Sequence, residues 1–416
     1  MLKVITYGTF DLLHYGHIRL LERAKQLGDY LIVGVTSEDY DKARGKINVH
    51  QSLMERIEGV RLLDLADEII IEEYIGQKID DIKRYNIDVF TVGSDWIGQF
   101  DYLKEYCNVI YLPRTEGISS SEIRASVKNL KIATIGKSSV TQKFLNECNY
   151  VNGVQTTDDI DMADALYIQS LPERHYEDVR TALLKGKHVI CESPIATRGE
   201  QVKELFALAR NKGVVLMDAL KPAYATAYSR LLLLIKSGAI GDVVSVDATC
   251  TSLGDNDVQN GRLEGRWNSI CAWGPTALLP IFQILGTNYK NKHIVSFFVD
   301  AEKRFDGFTK IDFEYANAVA SLKVAKTAKS EGILVITGTK GYIYVPAPWW
   351  KTDYFEIKYE NPENNKRYFY QLDGEGIRYE IVAFEKSIAK SKDYGYVDES
   401  VSIAIAEIVE ECMYGE

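Results

Sequence analysis

The stretch Thr6-Tyr7-Gly8-Thr9-Phe10-Asp11-Leu12-Leu13-His14-Tyr15-Gly16-His17 constrains the fold more than any other part of this 416-residue chain. Leu2 to Thr6 is a short apolar run that suits a buried parallel strand. From Ile18 the apolar residues Ile18, Leu20, Leu21, Ala24 and Leu27 recur at helical spacing. Strand, Gly-containing turn and helix together present backbone N–H groups and a positive dipole end to a phosphate. His14 and His17 are three apart, so at a helix start they share one face, and Gly16 between them lets a phosphate approach. A lone HxxH pair is usually solvated or packed in a core. Here its place after a strand and a turn, with two further segments at residues 93–96 and 114–122, favours a nucleotide site.

Any phosphate site must be a local concentration of cations, because the chain as a whole is acidic. Its formal charge of −10 argues against a nucleic-acid or anionic-membrane partner. The length allows two or three domains, and 46% hydrophobic with 26% charged residues is ordinary globular composition. Met1 leads directly into the first strand without room for a signal or transit peptide, and no apolar run approaches a membrane span. The six cysteines (Cys107, Cys148, Cys191, Cys250, Cys271, Cys412) include no CxxC pair, a pattern of reduced thiols. The expectation is a soluble cytoplasmic protein.

Tyr30 to Val35 reads as a second buried strand. Asp41-Lys42-Ala43-Arg44-Gly45-Lys46 comes next, a loop with three cations that is either a solvated surface loop or a clamp beside a triphosphate. Arg56 falls in the next helix, and Glu68–Ile71 and Val89–Val92 read as strands. Ligands of open parallel sheets bind outside the carboxyl ends of the strands. Gly93-Ser94-Asp95-Trp96 therefore places Asp95 and Trp96 to meet a base or ribose, with a plain core role as the alternative for Trp96. After a strand at Val109–Leu112 comes Pro113-Arg114-Thr115-Glu116-Gly117-Ile118-Ser119-Ser120-Ser121-Glu122. Ser119 with Glu122 is a capping box, the serine hydroxyls join the unpaired N–H groups of a helix start, and Arg114 brings a forked permanent charge.

These motifs carry a resemblance. Residues 1 to about 127 resemble the glycerol-3-phosphate cytidylyltransferases of the HxGH nucleotidylyltransferase superfamily, through the residue 6–17 stretch, Gly93-Ser94-Asp95-Trp96 and Arg114-Thr115-Glu116-Gly117-Ile118-Ser119-Ser120-Ser121. The resemblance implies that His14 and His17 contact the CTP phosphates and stabilise the charge of transfer, and that Lys46 and Arg114 grip the triphosphate or the incoming phosphate. It implies nucleotide contacts from Tyr7, Gly8, Thr9, Phe10, Asp11, Gly16, Arg56, Gly93, Asp95, Trp96, Thr115, Ile118, Ser119, Ser120 and Ser121, with Asp11 acting partly through Mg2+. The family usually has Ser-Thr-Thr where this chain has three serines, a change that keeps the hydroxyls.

No Pro- or Gly-rich linker separates this domain from the remainder of the chain. Lys131–Ile135 and Gly136 again read as strand and turn, but Gly136-Lys137-Ser138-Ser139 keeps only the first of the three dinucleotide-fingerprint glycines. Strands at Ala165–Ile168, Val189–Glu192 and Val214–Met217 come next. Beyond Gly241 lie long alternating strands (Val243–Cys250, His293–Val299, Ala316–Ala325, Ile333–Val345, Tyr354–Tyr359, Arg367–Leu372), and two helices end the chain. The expected fold is α/β: a Rossmann-like nucleotidylyltransferase domain over 1–129, a Rossmann-type dinucleotide-binding domain over 130–240, and an α+β domain with a large antiparallel sheet over 241–416.

This half resembles the glucose–fructose oxidoreductase and inositol dehydrogenase family through residues 186–194, 236–241 and 338–346. The resemblance implies NADPH or NADH bound near Gly136, Ser138, Ser139, Pro172, His175, Glu192, Ser193 and Pro194. The departures are specific. Ser193 stands where the family has its lysine, and Ala272-Trp273-Gly274-Pro275-Thr276 occupies the Asp/His region. The segment from Gly136 to Ala165 is short for the usual second strand and helix. Lys221, Tyr224 and His175 remain as proton-donor candidates.

Two readings result. In one, the protein is bifunctional: it reduces a ketose phosphate with NAD(P)H to a polyol phosphate, glycerol-like or a longer alditol, and couples that product to CTP as a CDP-polyol for surface polysaccharide. In the other, the second half is a catalytically inactive scaffold that serves oligomerisation or binds a sugar phosphate without turning it over. Dimers are the expectation carried by both resemblances.

Overall fold

Aliphatic and β-branched runs bounded by turns form two separate parallel sheets and one larger mixed sheet. The computed structural model describes residues 1–416 except 12, 14, 38, 39, 41–50, 75, 114–129, 152, 254, 371, 392 and 416. Two units are distinguished: Met1–Ala125 with Arg230–Ala239, and Ser126–Ser229 with Ile240–Glu416.

In the first unit β1 (Lys3–Gly8), α1 (Tyr15–Lys25), β2 (Tyr30–Thr36), α2 (Leu53–Leu62), β3 (Glu68–Glu72), α3 (Gln77–Tyr85), β4 (Val89–Gly93) and β5 (Asn108–Leu112) succeed one another. The sheet order is β3-β2-β1-β4-β5, and every neighbouring pair is parallel. A tight hairpin cannot join parallel strands, so helices carry the crossovers from β1 through β4. The chain leaves β1 towards β2 on one side and returns to β4 on the other. Strand order therefore reverses between β1 and β4, which opens a crevice at their carboxyl ends. Ile5, Tyr7, Ile32, Ile70, Ile82 and Phe90 form a core cluster of this unit. Helix α2 starts at a capping box: Ser52 Oγ accepts from Glu55 N at 3.3 Å, and Glu55 Oε2 accepts from Ser52 N at 2.7 Å.

The second unit opens with β6 (Leu130–Ile135), α4 (Ser139–Cys148), β7 (Val154–Thr156), β8 (Ala165–Ile168), α5 (Pro172–Leu184), β9 (His188–Glu192), α6 (Gly199–Lys212), β10 (Leu216–Ala219) and α7 (Thr226–Lys236), whose residues from Arg230 on belong to the first unit. Its parallel sheet has the order β10-β9-β8-β6-β7. The expectation of a missing second strand is corrected by this sheet. β7 is present as three residues paired to β6, while no helix is found among the described residues between it and β8.

The rest comprises β11 (Val243–Thr251), the short α8 (Asn256–Gln259), α9 (Ser269–Leu285), β12 (Asn291–Asp300), β13 (Phe305–Glu314), β14 (Val319–Ala325), β15 (Leu334–Gly338), β16 (Tyr342–Val345), β17 (Tyr354–Lys358), β18 (Lys366–Phe369), α10 (Ile377–Lys390) and α11 (Glu399–Tyr414). The eight strands run β12-β13-β14-β11-β15-β16-β17-β18. The sheet is mixed rather than wholly antiparallel, because β11 pairs with β14 in parallel. Helix α9 covers β11, β13 and β14 and also packs on α11.

Candidate functional site

In the first unit the turn after β1 is built by close packing. A Cβ on Gly8 would come within 2.9 Å of the Phe10 ring. Phe10 is 1% exposed and has φ +52°, a left-handed conformation that a bulky residue seldom adopts. Its ring meets the His17 imidazole edge-on, with centroids 5.5 Å apart. His17 and Gly16 lie in the first turn of α1. Behind the turn, buried Arg56 donates from Nη1 to Thr9 O and Thr36 O, both at 2.8 Å, and from Nε to Gln51 O at 3.2 Å. Asp11 Oδ1 accepts from Gln51 N at 2.9 Å, and Thr36 Oγ1 donates to Thr9 Oγ1 at 3.3 Å. Arg56 thus ties the ends of β1 and β2 to the entry of α2.

Across the crevice, β4 ends at Gly93, and Asp95 and Trp96 lie beyond it in a single 3-10 turn, Ser94–Trp96. Both are exposed, Trp96 with its indole against Phe100 at 5.9 Å. This corrects a core role for Trp96. Tyr7 needs the opposite correction. Its side chain is buried in the core, with Oη donating to Asp81 Oδ2 at 2.8 Å and the ring against Phe90, so it supports the turn from behind the sheet instead of facing a nucleotide. Burial pushes the Asp81 carboxyl up to about 6. Beside this pair, Lys78 and Glu72 form a buried ion pair that the sequence did not disclose. His14, Lys46, Arg114, Thr115, Ile118, Ser119, Ser120 and Ser121 lie outside the described residues. Among the described residues, no group of three or more His, Cys, Asp or Glu side chains could hold a metal ion.

In the second unit Gly136 ends the β6 turn at φ +104°, where a Cβ would stand 2.1 Å from Gln169 O. Ser138 caps α4, its Oγ accepting from Val140 N and Thr141 N, and Ser139 is the first helical residue. Pro172 opens α5. The Glu192-Ser193-Pro194 segment leaves the end of β9. Glu192 Oε1 accepts from Tyr167 Oη at 2.5 Å, and Ser193 Oγ donates to Asp218 Oδ2 at 3.3 Å. Asp218, at the end of β10, also accepts from Ser402 Oγ at 2.6 Å. Burial pushes Asp218 up to about 6 and raises Glu192 and Glu380, and each of Asp218 and Glu380 is pushed further by the negative charge of Glu192. The Lys221 ammonium opposes the rise at Glu192 and Glu380. Glu380, 1% exposed, escaped the sequence reading because its helix brings it to these strand ends only through tertiary packing.

Two proton-donor candidates are corrected. His175 is fully buried, with Nδ1 2.8 Å from Pro194 O and Nε2 3.1 Å from Ser170 O. It braces two loops and faces no open space, and burial lowers its pKa. Tyr224 is 2% exposed, stacks on Tyr396, and has its phenol pKa raised by burial, which makes it a poor acid. Lys221 alone of the three keeps a partly exposed polar head. Trp273 of α9 packs on Trp350 of the 3-10 turn Trp349–Lys351, an aromatic contact in the stretch where the family's acid and imidazole are expected.

Comparison with known proteins finds two family matches along the chain. A cytidylyltransferase-like family model matches residues 5–126, and a model of the oxidoreductase family with an NAD-binding Rossmann fold matches residues 121–219. A glycerol-3-phosphate cytidylyltransferase of Bacillus spizizenii is 53% identical over 130 residues, which are 31% of this chain and 100% of that protein. The Staphylococcus aureus protein of the same name is 48% identical over 126 residues, 30% of this chain and 93% of its own length. Among solved structures, an aldose-aldose oxidoreductase from Caulobacter crescentus complexed with glycerol superposes with a TM-score of 0.59 at 16% identity, covering 68% of this chain and 96% of that one. A 3-ketoreductase from Actinomadura kijaniata in complex with NADP and TDP-benzene gives 0.57 at 16% identity, with the same coverages. At such identity the likeness is one of fold. By sequence, the chain belongs to the cytidylyltransferase-like family through its amino-terminal domain, and it continues into a segment that matches the model of the oxidoreductase family with an NAD-binding Rossmann fold.

Proposed function

We propose that the chain is a bifunctional enzyme of CDP-polyol synthesis. The observation that carries the transferase half is the crevice at the carboxyl ends of β1 and β4. Gly8–Asp11 and His17 lie on one side of it, and exposed Asp95 and Trp96 lie on the other. The reaction is CTP plus a polyol phosphate giving a CDP-polyol and pyrophosphate. A phosphomonoester oxygen attacks the α-phosphorus in line as the bond to pyrophosphate breaks, so positioning and cationic stabilisation suffice. His14 and His17 stabilise the developing charge. Lys46 and Arg114 hold the phosphates, with Thr115, Ile118 and the hydroxyls of Ser119, Ser120 and Ser121 beside them. Gly8, Thr9, Phe10 and Gly16 shape the turn, and Arg56 fixes it. Asp95 and Trp96, beyond Gly93, meet the ribose and base. One carboxylate, Asp11, suits Mg2+ held mainly by CTP phosphates.

For the second half we infer reduction of a ketose phosphate to the polyol phosphate used by the first. Gly136, Ser138 and Ser139 at the start of α4, with Pro172, Glu192, Ser193 and Pro194 at the neighbouring strand ends, fit a dinucleotide. Asp158, just past β7 and about 20 residues beyond Gly136, stands where a ribose ligand is expected. When bound, NADPH or NADH supplies the hydride. Lys221 gives its proton to the carbonyl oxygen as the carbonyl becomes an alcohol, with the carboxyls of Glu192 and Glu380, both raised by burial, nearby. A cytoplasmic homodimer feeding surface polysaccharide, with no nucleic-acid or membrane partner, is the setting this reading implies. Burial of His175 and Tyr224, with Ser193 in the lysine position, favours a second reading in which this half is a scaffold.

The test is a coupled assay of the intact chain with CTP, Mg2+ and a panel of ketose phosphates, with and without NADPH or NADH. Nicotinamide absorbance and pyrophosphate are monitored together. Consumption of NAD(P)H with one ketose phosphate, then pyrophosphate release, is expected. Pyrophosphate only from a supplied polyol phosphate, with no oxidation of either cofactor, would leave the scaffold reading.

A further inference from the structure

In the second unit three ammonium groups converge on one carboxylate. Lys351 Nζ lies 2.7 Å from Glu375 Oε1, Lys221 Nζ lies 3.2 Å from Oε2, and Lys143 Nζ lies 3.3 Å from both oxygens. The lysines come from three separate elements: α4, the 3-10 turn Lys221–Tyr224, and the 3-10 turn Trp349–Lys351. Glu375 sits in a strained turn. Its own φ is +54°, between Gly374 at +60° and Gly376 at +93°. The turn is wedged from both sides: a Cβ on Gly374 would come 2.3 Å from Glu147 Oε2, and one on Gly376 2.5 Å from Lys221 O. Glu147 is in turn held by Arg378 Nε at 3.0 Å.

A left-handed glutamate is strained, and partly exposed lysine–carboxylate pairs each return little. Structural stability alone gives a weak reason to aim this carboxylate at three lysines. Three ammoniums against one carboxylate leave an excess of two positive charges. A phosphomonoester, with a charge near −2 and three terminal oxygens, matches the trio better than a carboxylate does.

We propose that Lys143, Lys221 and Lys351 form a seat for a phosphomonoester, and that Glu375 is an internal stand-in which the incoming phosphate displaces. This deepens, and rests on, the reading of the second half as acting on a phosphorylated substrate. The seat includes the proposed acid, so displacement of Glu375 exchanges the carboxylate partner of Lys221 for the phosphate. The phosphate has two possible sources, the sugar substrate or the 2′-phosphate of NADP, since Lys143 lies on the helix that begins at the dinucleotide turn.

The experiment is calorimetric titration of the full chain with inorganic phosphate, D-fructose 6-phosphate, NADP and NAD. Wild type is compared with Glu375→Gln, Lys351→Ala and Lys143→Ala, and thermal unfolding and pyrophosphate release from CTP confirm intact folding. Glu375→Gln should bind inorganic phosphate about tenfold more tightly, and each lysine variant about tenfold more weakly, with affinity falling as salt is raised. A gain for D-fructose 6-phosphate but not NADP assigns the seat to the substrate. A gain for NADP but not NAD assigns it to the cofactor. Unchanged phosphate affinity in folded Glu375→Gln and in both lysine variants overturns the seat, even if NADPH is consumed. Altered affinity without NADPH consumption keeps the seat and removes the catalytic reading.

Discussion

The Phe10 ring stands edge-on to the His17 imidazole, 5.5 Å between centroids, and fills the space that a side chain on Gly8 would need. Three residues of the turn are therefore one mechanical piece. In Gly8→Ala the new methyl must push the Phe10 ring, and the ring must push His17. Transferase kcat/KM for CTP is expected to fall by about a hundredfold while the circular dichroism spectrum stays that of the wild type. A variant with unchanged kinetics would separate the turn packing from catalysis.

Arg56 acts through geometry. Its Nη1 reaches two carbonyls at the ends of different strands and its Nε reaches a third. Lysine retains the charge but cannot fork. Arg56→Lys should lower the unfolding free energy by about 2 to 4 kcal/mol, read from urea melts, by leaving buried carbonyls unpaired. Equal melting midpoints would contradict this role.

Asp81 sets a pH dependence on the first unit. Burial raises its carboxyl to about 6, although Tyr7, Gln77 and Arg84 oppose the rise and Glu72 adds to it. An unfolded aspartate titrates near 4, so between roughly pH 4 and 6 the folded state binds more protons than the unfolded one. This contribution is fully present below pH 4 and is lost as pH rises through 6. Asp81→Asn keeps an acceptor for the Tyr7 hydroxyl. It should flatten a decline of about 1 to 3 kcal/mol, measured by amide exchange of β1 and β4. A decline of equal slope in the variant would assign it to another group.

Under the bifunctional reading, a change at Lys221 should separate the two activities. Lys221→Met should reduce NADPH oxidation by at least about a hundredfold, with pyrophosphate release from a supplied polyol phosphate unchanged. His175→Asn should instead lower thermal stability, because its ring joins Ser170 O to Pro194 O. Loss of redox activity in a stable His175→Asn, with Lys221→Met active, would reverse the assignment.

The strand, turn and helix around residues 3–25 were legible because their periodicity and glycines are local. What the sequence hid depends on distant partners. The strand Phe305–Glu314 escaped notice because Asp306 and Gly307 interrupt its apolar alternation. Asp306 is nonetheless buried, accepting from Ile270 N at 3.1 Å and Thr309 Oγ1 at 2.7 Å. Ile333–Val345 read as one strand but is a hairpin, β15 to β16, closed by Gly338 N donating to Gly341 O at 2.9 Å. The Gly-Thr-Lys-Gly turn was the available signal. Alternation also carries no information on direction, which is why the parallel β11–β14 pair was missed. In the second half, His175 and Tyr224 have the chemistry of proton donors, and only their burial removes them from that role. Glu375 has no sequence signature, since its three lysines lie at residues 143, 221 and 351.

The buried acids bear on how the protein migrates in an electric field. The formal charge of −10 counts every aspartate and glutamate as ionised, and the composition places the isoelectric point near 5.3. At that pH Asp81 and Asp218, each raised to about 6, largely retain protons in the native fold. These retained protons push the native protein to focus at a higher pH than the same chain in urea, where the carboxylates join the mobile charge, while His175 and His188, lowered by burial, push the opposite way.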